Sequence, residues 1–193
     1  MKILLTGFDR FGDLPFNPSE LVVRAIASRA TPGLVCEILP TEYDRATTIL
    51  RERLRAMRPD IVLGTGVAAT RPGLCLERVA LNIDDAEIAD NAGALRGGSA
   101  IEPRGPLARE TPCDLPPILA RLKERGMAAS ISTHAGTFVC NHVFYSALAE
   151  LERLHSDARC LFIHLPLREE VGEFVAAVDL VLAELAGQQP PGS

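Results

Sequence analysis

Short apolar runs alternate along this chain with stretches whose apolar positions recur at helical spacing. KILLTG (2–7) reads as a buried strand closed by a glycine. Asn17-Pro18-Ser19 then opens a helix, because Asn can cap free N–H groups and Pro suits the first turn. LVCEILP (34–40) is a second strand. TEYDRATTILRERLRAMRP (41–59) is a helix with Ile49, Leu50 and Leu54 on one apolar stripe and Arg and Glu opposite. DIVLGTG (60–66) has the composition of a central strand, and LERVALNI (76–83) alternates as a strand should. Residues 90–117 are rich in Gly and Pro and long for a structureless loop, so they form either a functional excursion or an irregular hairpin. A helix over about 116–125, a strand MAASIST (127–133), a helix opened by Cys140, a strand CLFIHLP (160–166) and a last helix (168–186) complete the series. Helix-separated strands predict an α/β fold, with a mostly parallel sheet covered on both faces and its sites at the carboxyl ends of strands.

Composition narrows this. At 193 residues with 47% apolar side chains, the chain suits one domain, expected over 1–187, with GQQPPGS leading into a disordered tail at 188–193. The net charge is -5 and no Lys/Arg cluster stands out, which argues against a nucleic-acid partner. No apolar run reaches the roughly 18 residues that a membrane span needs. MKILLTG is broken too early, at Gly7 and Asp9, to be a signal peptide. Five scattered cysteines (Cys36, Cys75, Cys113, Cys140, Cys160) in such a chain read as reduced thiols, and a cytoplasmic location is expected.

Three stretches invite chemistry. GTGVAA (64–69) follows a strand and matches the outline of a dinucleotide fingerprint, but Pro72 and Gly73 stand where its helix must run, so the glycines read as a tight strand exit. His134, Cys140 and His142 lack the spacing of a zinc site, and no CxxC pair exists, so no metal is expected. Cys140 is the strongest candidate. A free cysteine is often only a buried small hydrophobe. Here, however, Gly136 and Thr137 permit a sharp strand-to-helix turn. The helix N-terminus then offers N–H groups and a positive dipole end to a thiolate or a developing oxyanion. A nucleophilic thiol needs a base. Of the four histidines, His164 ends an apolar strand at the edge where sites form, whereas His155 lies in a polar helix end and His142 points away from Cys140. Glu77 is a charge within an apolar strand and must be paired.

The strings LLTGFDRFGDLPFNPS (4–19), PDIVLGTG (59–66), ERVALNIDDAEIADNAG (77–93), GTFVCNHVFY (136–145) and FIHLP (162–166) resemble the pyroglutamyl peptidase I (pyrrolidone-carboxylate peptidase) family of cysteine peptidases over nearly the whole chain. The resemblance implies a three-layer α/β/α sandwich around a mostly parallel, mixed sheet, often assembled as a dimer or tetramer. It implies removal of an N-terminal pyroglutamyl residue from small peptides with a blocked N-terminus, without a cofactor. It makes Cys140 the nucleophile, His164 the general base and Glu77 the acidic third member. Phe8 and Phe138 match aromatic residues that flank the lactam ring, and Phe11 and Asn17 fall in the same N-terminal string near the mouth of the site.

Two departures stand out. Val67 occupies the place of the family's substrate-facing Gln, and Glu87 that of an arginine associated with the site. A carboxylate facing the sulfur would raise its pKa. A related amidase with a different acyl or cyclic-amide substrate, or a catalytically silent member, are the alternatives these departures leave.

Overall fold

A computed structural model describes residues 1–189. Its elements are β1 (Ile3–Phe8), α1 (Pro18–Ala27), β2 (Leu34–Leu39), α2 (Tyr43–Met57), β3 (Ile61–Val67), β4 (Leu74–Glu77), β5 (Val79–Leu81), β6 (Ala108–Glu110), α3 (Leu115–Glu124), β7 (Ala129–Ser132), α4 (Val139–Arg153), β8 (Arg159–Leu165) and α5 (Gly172–Gly187). Six strands form one sheet in the order β2-β1-β3-β8-β4-β7. Pairing is parallel everywhere except between β4 and β8, which run antiparallel and join two parallel blocks. Helices α2 and α4 cover one face and α1, α3 and α5 the other, giving the three-layer α/β/α sandwich with a mixed sheet that the sequence led us to expect.

Local sequence explains the element ends. Asn17 is extended (φ -118°, ψ 115°), and its side-chain oxygen accepts a hydrogen bond from the Ser19 N–H at 3.0 Å, with Pro18 in the first turn of α1. α2 stops at Arg58, which takes the left-handed conformation (φ 48°) and donates its N–H to Leu54 O. All seven residues of β8 are buried, including its leading charge. Arg159 spends that charge on the open end of α5, donating to Leu185 O at 2.8 Å and Gln188 O at 2.7 Å.

The expected strand over 76–83 is two strands. The chain leaves the main sheet after Glu77, passes through Arg78, and pairs again as β5 with β6 in a separate antiparallel ribbon. Alternation of apolar residues fits both pieces and cannot report the change of partner. The Gly- and Pro-rich stretch is an irregular hairpin: β6 supplies one strand of the ribbon, and an isolated bridge joins Asp84 and Ser99. The chain is held just past the end of α5. The Gln188 side chain accepts from Asp114 N at 3.0 Å and donates to Asp114 O at 2.8 Å, pinning the end of α5 to the start of α3. The expected disorder of the last residues, 190–193, lies outside the described residues. Among the described residues no helix is long and apolar enough to cross a membrane.

Candidate active site

The antiparallel seam sets the site. Its register places Cys75 opposite His164 and Glu77 opposite Phe162, so these four side chains share the face covered by α2 and α4. His164 Nδ1 lies 2.7 Å from Glu77 Oε1. A carboxylate can only accept in this pair, so the imidazole carries its proton on Nδ1 and leaves Nε2 free to act as a base. Glu77 is fully buried. Its Oε1 also accepts from Arg71 Nη1 at 2.8 Å, while Oε2 has no hydrogen-bond partner.

Cys140 arrives from the other side of the same face. Gly136 takes φ +84° in the turn after β7, and Cys140 is the second residue of α4, behind Phe138 at the cap position. Phe138 makes no side-chain capping bond, so no side chain competes for the first-turn N–H groups beside the sulfur. The two glycines of GTG in β3 make room for this arrangement. A Cβ on Gly66 would lie 2.7 Å from Cys140 Sγ, and one on Gly64 would lie 2.5 Å from the Phe162 ring. Gly66 is the β3 neighbour of His164 in the parallel β3–β8 register. Neighbouring strands lie about 4.8 Å apart, so the sulfur rests over β3 immediately beside the histidine.

The electrostatics define what the thiol can do. Burial pushes the Cys140 thiol up to about 12, the Glu77 charge adds to this, and a backbone hydrogen bond works the other way. The helix end therefore does not ionise the sulfur by itself. A thiol in this state reacts as a nucleophile only if a base takes its proton, and His164, on the strand beside Gly66, carries the imidazole next to it. Glu87, the charge reversal noted above, is solvent-exposed, and Glu77 is the carboxylate whose field reaches the sulfur.

The aromatic residues divide. Phe11 and Phe138 form a partly exposed wall with ring centroids 5.1 Å apart, and Tyr43 meets Phe138 edge-on at 5.5 Å. Phe8 is only 2% exposed and packs 6.4 Å from Phe162, placing it beneath the site rather than on its surface. Asn17 is buried with its amide engaged internally: it accepts from Ser19 N and Ser19 Oγ and donates to Asp9 O at 2.8 Å. It shapes the loop that carries Phe11. Val67 ends β3, half-buried, beside Leu165 of β8. A surface hollow of about 670 Å³ adjoins the site, running from Arg71 and Cys75 along β7 to Thr133; Cys140 does not line it.

Several supporting residues escaped the sequence reading. Asn141 donates to Leu81 O (2.9 Å) and Ile83 O (3.1 Å) and accepts from Leu81 N (2.8 Å), tying α4 to β5. His142 Nδ1 pairs with Asp84 at 2.8 Å. Asp84 also binds Arg96 at 2.8 Å, and the Arg96 guanidinium lies 4.4 Å from the centroid of the Tyr43 ring. Asp85 N donates to Thr137 O at 2.9 Å. The residues flanking Cys140 thus fasten the 82–99 excursion to the first turn of α4. The one signal available was that a buried acid requires a cation or donor.

A family model described as Pyroglutamyl peptidase matches residues 1–176. The pyrrolidone-carboxylate peptidase of Bacillus amyloliquefaciens is 40% identical over 167 residues, covering 86% of this chain and 78% of that protein. Pyrrolidone-carboxylate peptidase 1 of Ralstonia nicotianae is 41% identical over 166 residues, covering 85% of this chain and 77% of that protein. The crystal structure of Bacillus amyloliquefaciens pyroglutamyl peptidase I superposes with a TM-score of 0.90 at 35% identity, covering 97% of each chain.

Proposed function

The chain belongs to the pyroglutamyl peptidase family, and on that premise we propose that it is a cysteine exopeptidase that removes an N-terminal pyroglutamyl residue from small peptides. The observation that carries this reading is the 2.7 Å pair between His164 Nδ1 and Glu77 Oε1, next to a sulfur seated over Gly66.

In this reading His164 Nε2 takes the Cys140 proton, and the imidazolium that forms is held by Glu77. The thiolate attacks the exocyclic carbonyl of the pyroglutamyl residue, and N–H groups of the first turn of α4 receive the oxyanion. His164 returns the proton to the leaving amine, the C–N bond breaks and a thioester remains. Water, deprotonated by His164, then attacks the thioester and releases pyroglutamate and the thiol. The lactam is compact, uncharged and without a free amine, which suits a slot walled by Phe11 and Phe138. Phe8 packs against Phe162 beneath the site, and Asn17 holds the Phe11 loop in shape.

Val67 favours a second reading. An apolar side chain at this strand end supplies no hydrogen bond to the lactam, and losing such a contact weakens discrimination by about 1–3 kcal/mol. A broader set of cyclic acyl groups is the expected consequence. A cytoplasmic homo-oligomer, dimer or tetramer, completes the proposal and rests on the family resemblance.

Hydrolysis of pyroglutamyl-7-amido-4-methylcoumarin under reductant, with Cys140→Ala in parallel, tests it. Turnover by the native chain and none by the variant is expected. Absence of turnover with Cys140 still rapidly alkylated would transfer the chemistry to another acyl substrate.

A further inference from the structure

We propose that Arg71 is a positioning residue for the catalytic group, fixing the Glu77 carboxylate and the turn that presents Cys140 while offsetting the negative charge of Glu77 at the sulfur. This rests on the triad reading above. Arg71 lies in the loop between β3 and β4. Its Nη1 donates to Glu77 Oε1 at 2.8 Å, the same oxygen that pairs with His164. Its Nη2 reaches His134 O at 3.5 Å, in the turn between β7 and α4. His134 Nδ1 in turn accepts the N–H of Gly136, the left-handed residue of that turn. One guanidinium therefore touches two of the three segments that must meet: the strand carrying the acid and the turn carrying the nucleophile.

The charge matters as much as the contacts. Glu77 is fully buried and its second oxygen is bare, so Arg71 and the Nδ1–H of His164 are its hydrogen-bonded partners among the described residues. A buried carboxylate without a cation takes up a proton or imposes its field on its neighbours. The titratable groups around it are His164 from β8, Cys140 from α4 and Cys75 from its own strand. His134 stands in the turn, and Arg168 reaches the same loop through Pro72 O at 3.4 Å. The position of Arg71 is well defended. Burial opposes its charge, but contacts with Cys75 and Glu77 more than offset this and leave its pKa above the ordinary value.

The sign follows. Without the guanidinium, Glu77 acts unopposed on the Cys140–His164 pair. The sulfur then gives up its proton less readily and the imidazolium keeps its proton longer, so reactivity moves to higher pH. The test is the pH dependence of Cys140 alkylation by iodoacetamide, read by mass spectrometry, beside the pH profile of kcat/KM on the coumarin substrate. Arg71→Gln is expected to move both profiles up by about one pH unit. Arg71→Lys is expected to hold the profile near that of the native protein while lowering kcat, because a single ammonium does not reproduce the fork between Glu77 and His134.

A folded Arg71→Gln protein whose rate falls with no movement of either profile overturns the proposal, because a merely structural arginine behaves that way. If Arg71→Gln does not fold, Arg71→Ala assayed with and without added guanidinium decides: a profile raised in its absence and moved back towards the native one on addition supports the proposal, and a profile at the native position that guanidinium does not move overturns it. A native Cys140 that alkylates no faster than the half-buried Cys36 sinks the triad reading and this inference together. A reactive Cys140 indifferent to Arg71 sinks the inference alone.

Discussion

The two faces of the central sheet are built from different materials. The face under α1, α3 and α5 is aliphatic: Leu5, Val22, Val23, Ile26, Leu63, Leu76, Ile118, Leu161, Ile163, Val178 and Val181, with Phe174 as the aromatic member of its buried cluster. The face under α2 and α4 carries Phe8, Tyr43, Phe144, Tyr145 and Phe162, and among these sit the buried polar groups Glu77, Asp84, Asn141, His142, Glu150 and His164. Neighbouring residues of one strand serve opposite roles: Leu161 and Ile163 hold the aliphatic layer, while Phe162 and His164 build the site. The aliphatic face gains stability from contact alone, which tolerates small shifts. The other face must place charges and hydrogen bonds, and its aromatic rings and glycines fix that geometry.

The sharpest way to separate the faces is to change one residue on each. Glu77→Gln keeps the volume and removes the charge that holds the His164 imidazolium. Turnover is expected to fall about 10²–10⁴-fold per folded molecule, the range attached to a misdirected acid–base group. Rates near those of the native chain would break the comparison. Leu161→Ala on the aliphatic face should do the converse, costing about 2–5 kcal/mol in urea unfolding while leaving kcat per folded molecule unchanged.

Glu150 shows that the polar face also serves stability. Only 2% of its side chain is exposed, and it pairs with Arg55 at 2.7 Å and Arg153 at 3.4 Å. The hydrogen bond from Arg55 holds its carboxyl below the ordinary range. A depressed folded-state pKa stabilises the fold above the unfolded-state pKa, and that contribution is lost as pH falls through the folded value. Glu150→Gln should therefore cost about 1.5–3 kcal/mol at pH 7, with the gap to the native chain closing on acidification. A gap independent of pH would assign the loss to packing. Smallest of all, Tyr43→Phe removes a buried hydroxyl without a hydrogen-bond partner, and unfolding free energy should stay within about 1 kcal/mol of native or rise.

Much of this was legible in the chain because it is local. Strand runs, the Asn17 cap, the turn before Cys140 and the strand-end position of His164 all follow from neighbouring residues. The Glu77 role came from the family resemblance, since nothing near it in sequence names its partners. What stayed hidden depends on residues far apart. The change of pairing partner at Arg78, the Arg159 cap on α5 and the Asp84–His142–Arg96 cluster arise from tertiary placement, which periodicity does not encode. The glycines of GTG carry a lesson of the same kind. Their spacing outlines a dinucleotide fingerprint that Pro72 and Gly73 exclude, leaving a strand exit, and only the fold shows that they leave space for Phe162 and the sulfur.

The antiparallel seam has a consequence for assembly. Glu77 and His164 are 87 residues apart in the chain and meet only when β8 slides between β3 and β4. Cys140 and His164 both follow the strands that flank β8, and without β8 the sheet is two unconnected halves. β8 is thus the strand on which both the continuity of the sheet and the pairing of Glu77 with His164 depend.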